Sequence, residues 1–278
     1  MRALLAFDKF KDALGAPEAC AAAARALAAI QPGWTLDVCP LADGGEGFGP
    51  ILTGAANGEI LRAEVTGPRG RNVEGMVGLV PLRSIPAPAR TLLRLPELTP
   101  DARVAVIEMA SASGLALLVP AERDLWQTTT AGTGELMRLA TGRGAAAIVL
   151  GIGGSATNDL GLGALEALGL EFLDAGGKRV SPPVPARWRE IARIGGRLTP
   201  GLPPIRIACD VTNPLLGPRG AAATYGPQKG LRPGDLARLD HEGARIALML
   251  CAHFGRPDAL MDTPGTGAAG GISFGLMA

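Results

Sequence analysis

The chain has 278 residues, 47% apolar and 19% charged, with a formal net charge of +1. That apolar content excludes general disorder, and the charge balance excludes nucleic acid or an anionic membrane as the main partner. The 40 glycines and 23 prolines follow no collagen period, so they describe a globular protein with many tight turns.

Residues 3–7 (ALLAF) read as a short buried strand. Pro17 sits near the first turn of an Ala-rich helix that runs to about Ile30 and ends at Gly33. Residues 36–41 give a second strand, so the order predicts a βαβ unit. Functional groups in such units lie at the carboxyl ends of strands. Two loops qualify, Asp8-Lys9-Phe10-Lys11 and Ala42-Asp43-Gly44-Gly45-Glu46-Gly47. Residues 59–94 change to Val-rich alternation broken by Gly and Pro, which predicts antiparallel strands and the start of a second domain. Buried strands are predicted at 104–109, 145–150 and 205–209, with helices at 133–143, at 233–254 and from the 151–159 loop on to about Leu168. The glycine loop 265–271 precedes only seven residues, so it is expected to order little beyond itself, and the chain is expected to stop early.

Cys20, Cys39, Cys209 and Cys251 form no C-x-x-C pair and lie in apolar sequence, which predicts buried, reduced thiols. His241 and His253 lack metal-pair spacing and read as helix-surface residues. Aromatics are too scattered to form a stacking platform. No secretory signal is visible, and no apolar run approaches the ~18 residues needed to span a bilayer. A soluble, cytoplasmic protein is expected.

Glycine-rich loops at 128–134, 151–158, 217–220, 226–230 and 265–271 offer backbone N–H groups to phosphate oxygens. No G-x-x-x-x-G-K-[ST] occurs, and neither do the H-R-D and D-F-G signatures of protein kinases. Residues 151–156 fit G-x-G-x-x-A, with Glu171 or Asp174 near the offset of a ribose acid. A nicotinamide-dependent oxidoreductase is therefore a competing reading, although Ser155, Thr157, Asn158 and Asp159 crowd that turn with polar side chains. Asp8, Asp43, Glu46, Asp159 and Asp210 stand at or just past predicted strand ends. Turn or capping duty explains most such acids, and Asp159 suits a cap. Asp210 follows the apolar 205–209 run directly, where a carboxylate can accept a hydroxyl proton or hold Mg²⁺. Lys11 and Lys229 lie inside candidate loops and are the expected anion partners.

Taken together, eight segments resemble the bacterial glycerate kinase family. They are Phe7-Asp8-Lys9-Phe10-Lys11, Leu41-Ala42-Asp43-Gly44-Gly45-Glu46-Gly47, and Ile107-Glu108-Met109-Ala110 with Ser113-Gly114-Leu115. Thr129-Thr130-Ala131-Gly132-Thr133-Gly134-Glu135 and Gly151-Ile152-Gly153-Gly154-Ser155-Ala156-Thr157-Asn158-Asp159 follow. Cys209-Asp210-Val211-Thr212-Asn213-Pro214-Leu215, Tyr225-Gly226-Pro227-Gln228-Lys229-Gly230 and 265–271 complete the series. The resemblance implies ATP-dependent phosphorylation of a glycerate hydroxyl, with Mg²⁺. It implies a two-domain α/β fold: a discontinuous, Rossmann-like three-layer domain with a second α/β domain inserted into it. Residues 1–58 would begin the Rossmann-like domain, and 59–278 would hold the inserted domain and adjoining Rossmann-like elements.

Applied to that reaction, Gly153, Gly154, Ser155, Thr157 and Asn158 would cradle phosphate or substrate. Asp43 and Glu46 would hold Mg²⁺, Asp210 would be the base with Asp8 second, and Lys11 and Lys229 would neutralise anionic oxygens. Asp12 and Ala13 depart from the family's usual Gly then Ser or Thr after Lys11. Lys9 stands for a commoner Ser, and Leu160 for a small residue. The family's continuation beyond the 265–271 motif is not in this sequence. A fragment, a truncated inactive homologue that binds a ligand or partner, or a sheet completed by another chain is expected on that ground. The resemblance leaves room for a homo-oligomer.

Overall fold

The computed structural model describes residues 1–10, 13–95 and 99–278. Strand β1 (Arg2–Leu5) pairs in parallel with β2 (Thr35–Val38), and helix α1 (Ala16–Ile30) connects them, as a βαβ unit requires. Pairing continues past the formal strand ends, where the Leu41 N–H donates to the Phe7 carbonyl at 2.9 Å. The expected buried strand is covered on one side only. Ala16, Ala19 and Cys20 of α1 are buried along with Leu5, while Leu4 and Val38 stand exposed on the pair.

Helix α2 (Phe48–Ala55) leads into β3 (Glu59–Thr66) and β4 (Asn72–Pro81), the expected antiparallel pair. After α3 (Ala87–Leu92) comes β5 (Arg103–Glu108), then α4 (Ala110–Ser113), α5 (Ala131–Gly142) and β6 (Ala145–Gly151). Helix α6 (Leu162–Ala167), the hairpin strands β7 (Leu170–Leu173) and β8 (Arg193–Gly196), and β9 (Ile205–Ala208) follow. The chain continues through α7 (Ala221–Tyr225), α8 (Leu236–Phe254) and α9 (Ile272–Met277).

The central sheet has the order β3-β4-β5-β6-β9 and is mixed: its first three strands are antiparallel neighbours, and β5, β6 and β9 run parallel. Residues 104–107 of β5 and all of β6 are apolar because both faces of these strands are covered. Ala105, Ile107, Ile148 and Leu150 point to one side, where Leu136, Met137 and Ala140 of α5 meet them. Val104, Val106, Ala147 and Val149 point to the other, against Phe48 of α2. A further core surrounds the buried Trp188 and Phe172 under α8. The fold is α/β.

Three sequence expectations change. The 151–156 loop does not open a helix, because α6 begins only at Leu162 after an irregular stretch. The loop at 265–271 is not idle: Ile272 and Phe274 of α9 are fully buried. Of the thiols, Cys20 and Cys251 are buried but Cys39 and Cys209 are exposed, and all four are free. His241 and His253 lie exposed on α8, as the sequence predicts.

Candidate active site

The parallel strands β5, β6 and β9 end side by side at Glu108, Gly151 and Ala208. The chain leaving each tip, together with the 43–46 and 225–229 turns, encloses a cleft of about 580 Å³. Lys9, Asp43, Glu46, Gly153, Gly154, Ser155, Asp210 and Lys229 all line it, with Arg123 and Cys209. The structure thus gathers most of the sequence-derived candidates from distant segments. Lys11 lies outside the described residues.

Two glycine loops touch at the cleft's base. The Gly153 N–H donates to the Gly44 carbonyl at 2.9 Å, and a Cβ on Gly153 would meet Gly45 backbone atoms at 2.7 Å. Only glycine permits that approach. Within 153–156, the Gly153 N–H is therefore taken, and the Ala156 N–H donates to the Ser113 carbonyl. The Gly154 and Ser155 N–H groups have no partner among the described residues, so they are the donors left for an anion.

The acidic corner is organised by Lys9. Its Nζ donates to Asp43 Oδ1 at 2.8 Å and lies 3.8 Å from Asp8 Oδ1. Burial opposes the Lys9 charge, but the hydrogen bond and charge of Asp43, with Asp8 and Glu46 beyond, raise its pKa overall. Burial likewise pushes the Asp43 carboxyl up, yet Lys9 and the Gly45 N–H outweigh it and hold the group below its usual range. Asp8 accepts its neighbouring Lys9 N–H at 2.6 Å and flanks this corner without lining the cleft. Glu108, at the tip of β5, is buried and accepts the Gly49 N–H at 3.0 Å, which ties the start of α2 to the sheet. Burial pushes the Glu108 carboxyl up.

The opposite wall is built on Lys229. This side chain is only 2% exposed, and its Nζ donates to Ser155 Oγ and to the Thr157 carbonyl, both at 2.8 Å. Burial pulls its pKa down to about 7, against the opposing charge of Asp159. Thr157 and Asn158 sit behind the loop, not in the cleft lining. The side-chain oxygens Thr157 Oγ1 and Asn158 Oδ1 are buried and have no partner among the described residues. Asp159 is deeper still. Its Oδ2 accepts from the Thr130 N–H, Thr130 Oγ1 and the Gly163 N–H at 2.8, 2.9 and 3.1 Å, and its Oδ1 from the Gly161 N–H at 3.1 Å. It thereby satisfies the Gly163 N–H in the first turn of α6, whose N-cap position is Gly161 and not Asp159.

A pH dependence of stability follows from Lys229. Its pKa is about 7 folded against 10.5 ordinarily, so between those values the unfolded chain binds more protons. Stability should therefore rise with pH across that window, and below it the cost of a buried ammonium is carried in full. Thermal unfolding from pH 7 to 10 should show this rise in the parent protein and lose it in Lys229→Met. An identical profile in both would contradict the assignment.

Sequence reasoning missed Arg123 and passed over Lys9 in favour of Lys11. Arg123 has no local signal, being one arginine in an ordinary turn. Its Nε is buried without a partner among the described residues. Lys9 was legible, because it stands inside the same loop as Asp8.

The chain is similar to known proteins along its whole length. The sequence pattern of the glycerate kinase family matches residues 3–278. The glycerate kinase of Bacillus subtilis (strain 168) is 39% identical over 281 residues, covering 100% of this chain and 68% of that protein. The glycerate 2-kinase of Escherichia coli (strain K12) is 37% identical over 293 residues, with the same coverage. A solved structure of a candidate glycerate kinase 2 from Salmonella typhimurium LT2 superposes with a TM-score of 0.80 at 39% identity, covering 100% of this chain and 70% of that one.

Proposed function

Because the chain belongs to the glycerate kinase family, we propose that its cleft transfers the γ-phosphoryl group of ATP to a hydroxyl of glycerate. The observation that carries this reading is the convergence of Lys9, Arg123, Lys229 and the free Gly154 and Ser155 N–H groups on one cleft with Asp43, Glu46 and Asp210. Phosphoryl transfer needs positioning and charge neutralisation above all, and this cleft has cations and amide donors for anionic oxygens. Mg²⁺ in nucleotide sites is commonly held by one or two carboxylates plus the substrate's phosphates. Asp43 and Glu46 fit that pattern, although Lys9 and the Gly45 N–H already occupy Asp43 Oδ1. When bound, the metal would neutralise charge on the phosphates.

In this reading the Gly154 and Ser155 amides and Lys9 meet phosphate oxygens, and Arg123 pairs with the glycerate carboxylate. Exposed Asp210, just past β9, accepts the proton of the attacking hydroxyl. Thr157 and Asn158 support the loop from behind. Asp8, the second base candidate, acts through Lys9. We take residues 1–58 as the N-terminal part of one domain of a two-domain enzyme, with adjoining elements of that domain within 59–278 and the cleft between the two domains. No helix among the described residues is long and apolar enough to cross a membrane, which accords with a cytoplasmic enzyme.

Calorimetric titration tests the assignment. MgATP and glycerate should each bind, and NADH should not. Tight NADH binding with none of MgATP would replace the kinase reading by a dehydrogenase one.

A further inference from the structure

Ser155 and Lys229 form a pair that phosphate binding alone does not require. Ser155 lines the cleft at 7% exposure, and Lys229 Nζ lies 2.8 Å from its Oγ. A third group orients the lysine, since the Thr157 carbonyl accepts from the same Nζ at 2.8 Å. Lys229 itself is fixed by its backbone. It ends a short helical turn (Pro227–Lys229), and the next residue, Gly230, has φ +91°, where a Cβ would meet the Arg123 carbonyl at 2.0 Å. A hydroxyl, a buried amine in hydrogen-bond contact and an orienting acceptor are the parts of an activated nucleophile. In the neutral form of the lysine the contact reverses, and the Ser155 O–H donates to Nζ. Burial holds Lys229 where that neutral form is populated near pH 7. The free Gly154 and Ser155 N–H groups lie beside the hydroxyl, where they can receive the oxygens of an attacked phosphoryl group.

We infer that Ser155 takes the γ-phosphoryl group of ATP, with Lys229 as its base, so that transfer to glycerate runs through a phosphoserine. This rests on the reading that the cleft binds ATP. In the first step Ser155 Oγ bonds to the γ-phosphorus and the bond to the β-phosphate oxygen breaks. ADP leaves with that electron pair, and the serine proton goes to Lys229 Nζ. In the second step the glycerate hydroxyl bonds to the phosphorus, with its proton passing to Asp210. The Ser155 oxygen leaves and regains its proton from Lys229. Two in-line displacements retain configuration at phosphorus and permit exchange between ADP and ATP without glycerate.

The test uses the full chain with MgATP and no glycerate. Acid-quenched protein should gain the mass of one phosphoryl group on Ser155, and labelled ADP should exchange into ATP. Both should fall to background in Ser155→Ala, and the exchange rate should drop about 10²–10⁴-fold in Lys229→Met. The exchange measurement on the parent protein needs no variant, so a variant that fails to fold leaves the test intact. Glycerate phosphorylation with no exchange and no added mass would overturn the phosphoserine and leave the kinase reading standing. Failure to bind MgATP at all would overturn both.

Discussion

Replacing Asp210 by Asn should lower kcat by about 10²–10⁴-fold, the usual contribution of a positioned acid or base, while the fold is unchanged. The carboxylate sits just past the end of β9, exposed on the cleft wall, with no side-chain hydrogen bond among the described residues. The amide keeps its shape but cannot accept a proton. Asp8→Asn should cost less, because Asp8 spends one oxygen on the Lys9 N–H and faces Lys9 Nζ rather than the cleft. Steady-state kinetics of both variants at saturating ATP would rank them. An Asp210→Asn enzyme within a few-fold of the parent, beside a crippled Asp8→Asn enzyme, would transfer the base to Asp8.

Asp159→Ala should act on stability before it acts on turnover. The carboxylate is 1% exposed and satisfies three backbone N–H groups and one hydroxyl from two segments, 130 and 161–163. Removing it leaves those buried donors unpaired and takes away the charge facing Lys229. Losses of about 3–5 kcal/mol are typical when one partner of a buried charged network is deleted. Urea unfolding should show a lower midpoint at an unchanged slope. Asp159→Asn, which keeps one acceptor oxygen, should recover part of the loss. A midpoint within experimental error of the parent would show that the network adds nothing to the fold.

Where sequence reading and structure agree, a single local force decides. The apolar runs that become β5 and β6 read as strands covered on both faces, and the Ala-rich run behind Pro17 reads as a helix, and the structure has both. Among the glycine loops, 151–158 is legible because it leaves the tip of β6, beside the tips of β5 and β9. Helix α2 is not legible. Its sequence, FGPILTGA, carries two glycines and a proline, and its tertiary contacts are distant in sequence: Phe48 packs on the sheet, and Glu108, 59 residues from Gly49, accepts that residue's N–H.

The same limit separates the loop residues of the site. Ser155, Thr157 and Asn158 look equivalent in sequence, yet the backbone turns Ser155 to the cleft and buries the other two. Lys229 reads as an ordinary loop cation. Only tertiary packing buries it against Ser155 and moves its proton affinity to the neutral range. Arg123 reaches the cleft from a turn that has no pattern of its own.

The most direct check of the whole account is phosphorus NMR of the protein incubated with MgATP and glycerate. The γ-phosphate resonance of ATP should decline in step with growth of a phosphate-ester resonance on glycerate, and both changes should depend on the three-carbon acid. Release of inorganic phosphate alone, or an unchanged spectrum with nucleotide bound, would contradict the claim that this cleft sets a terminal phosphate against a hydroxy acid.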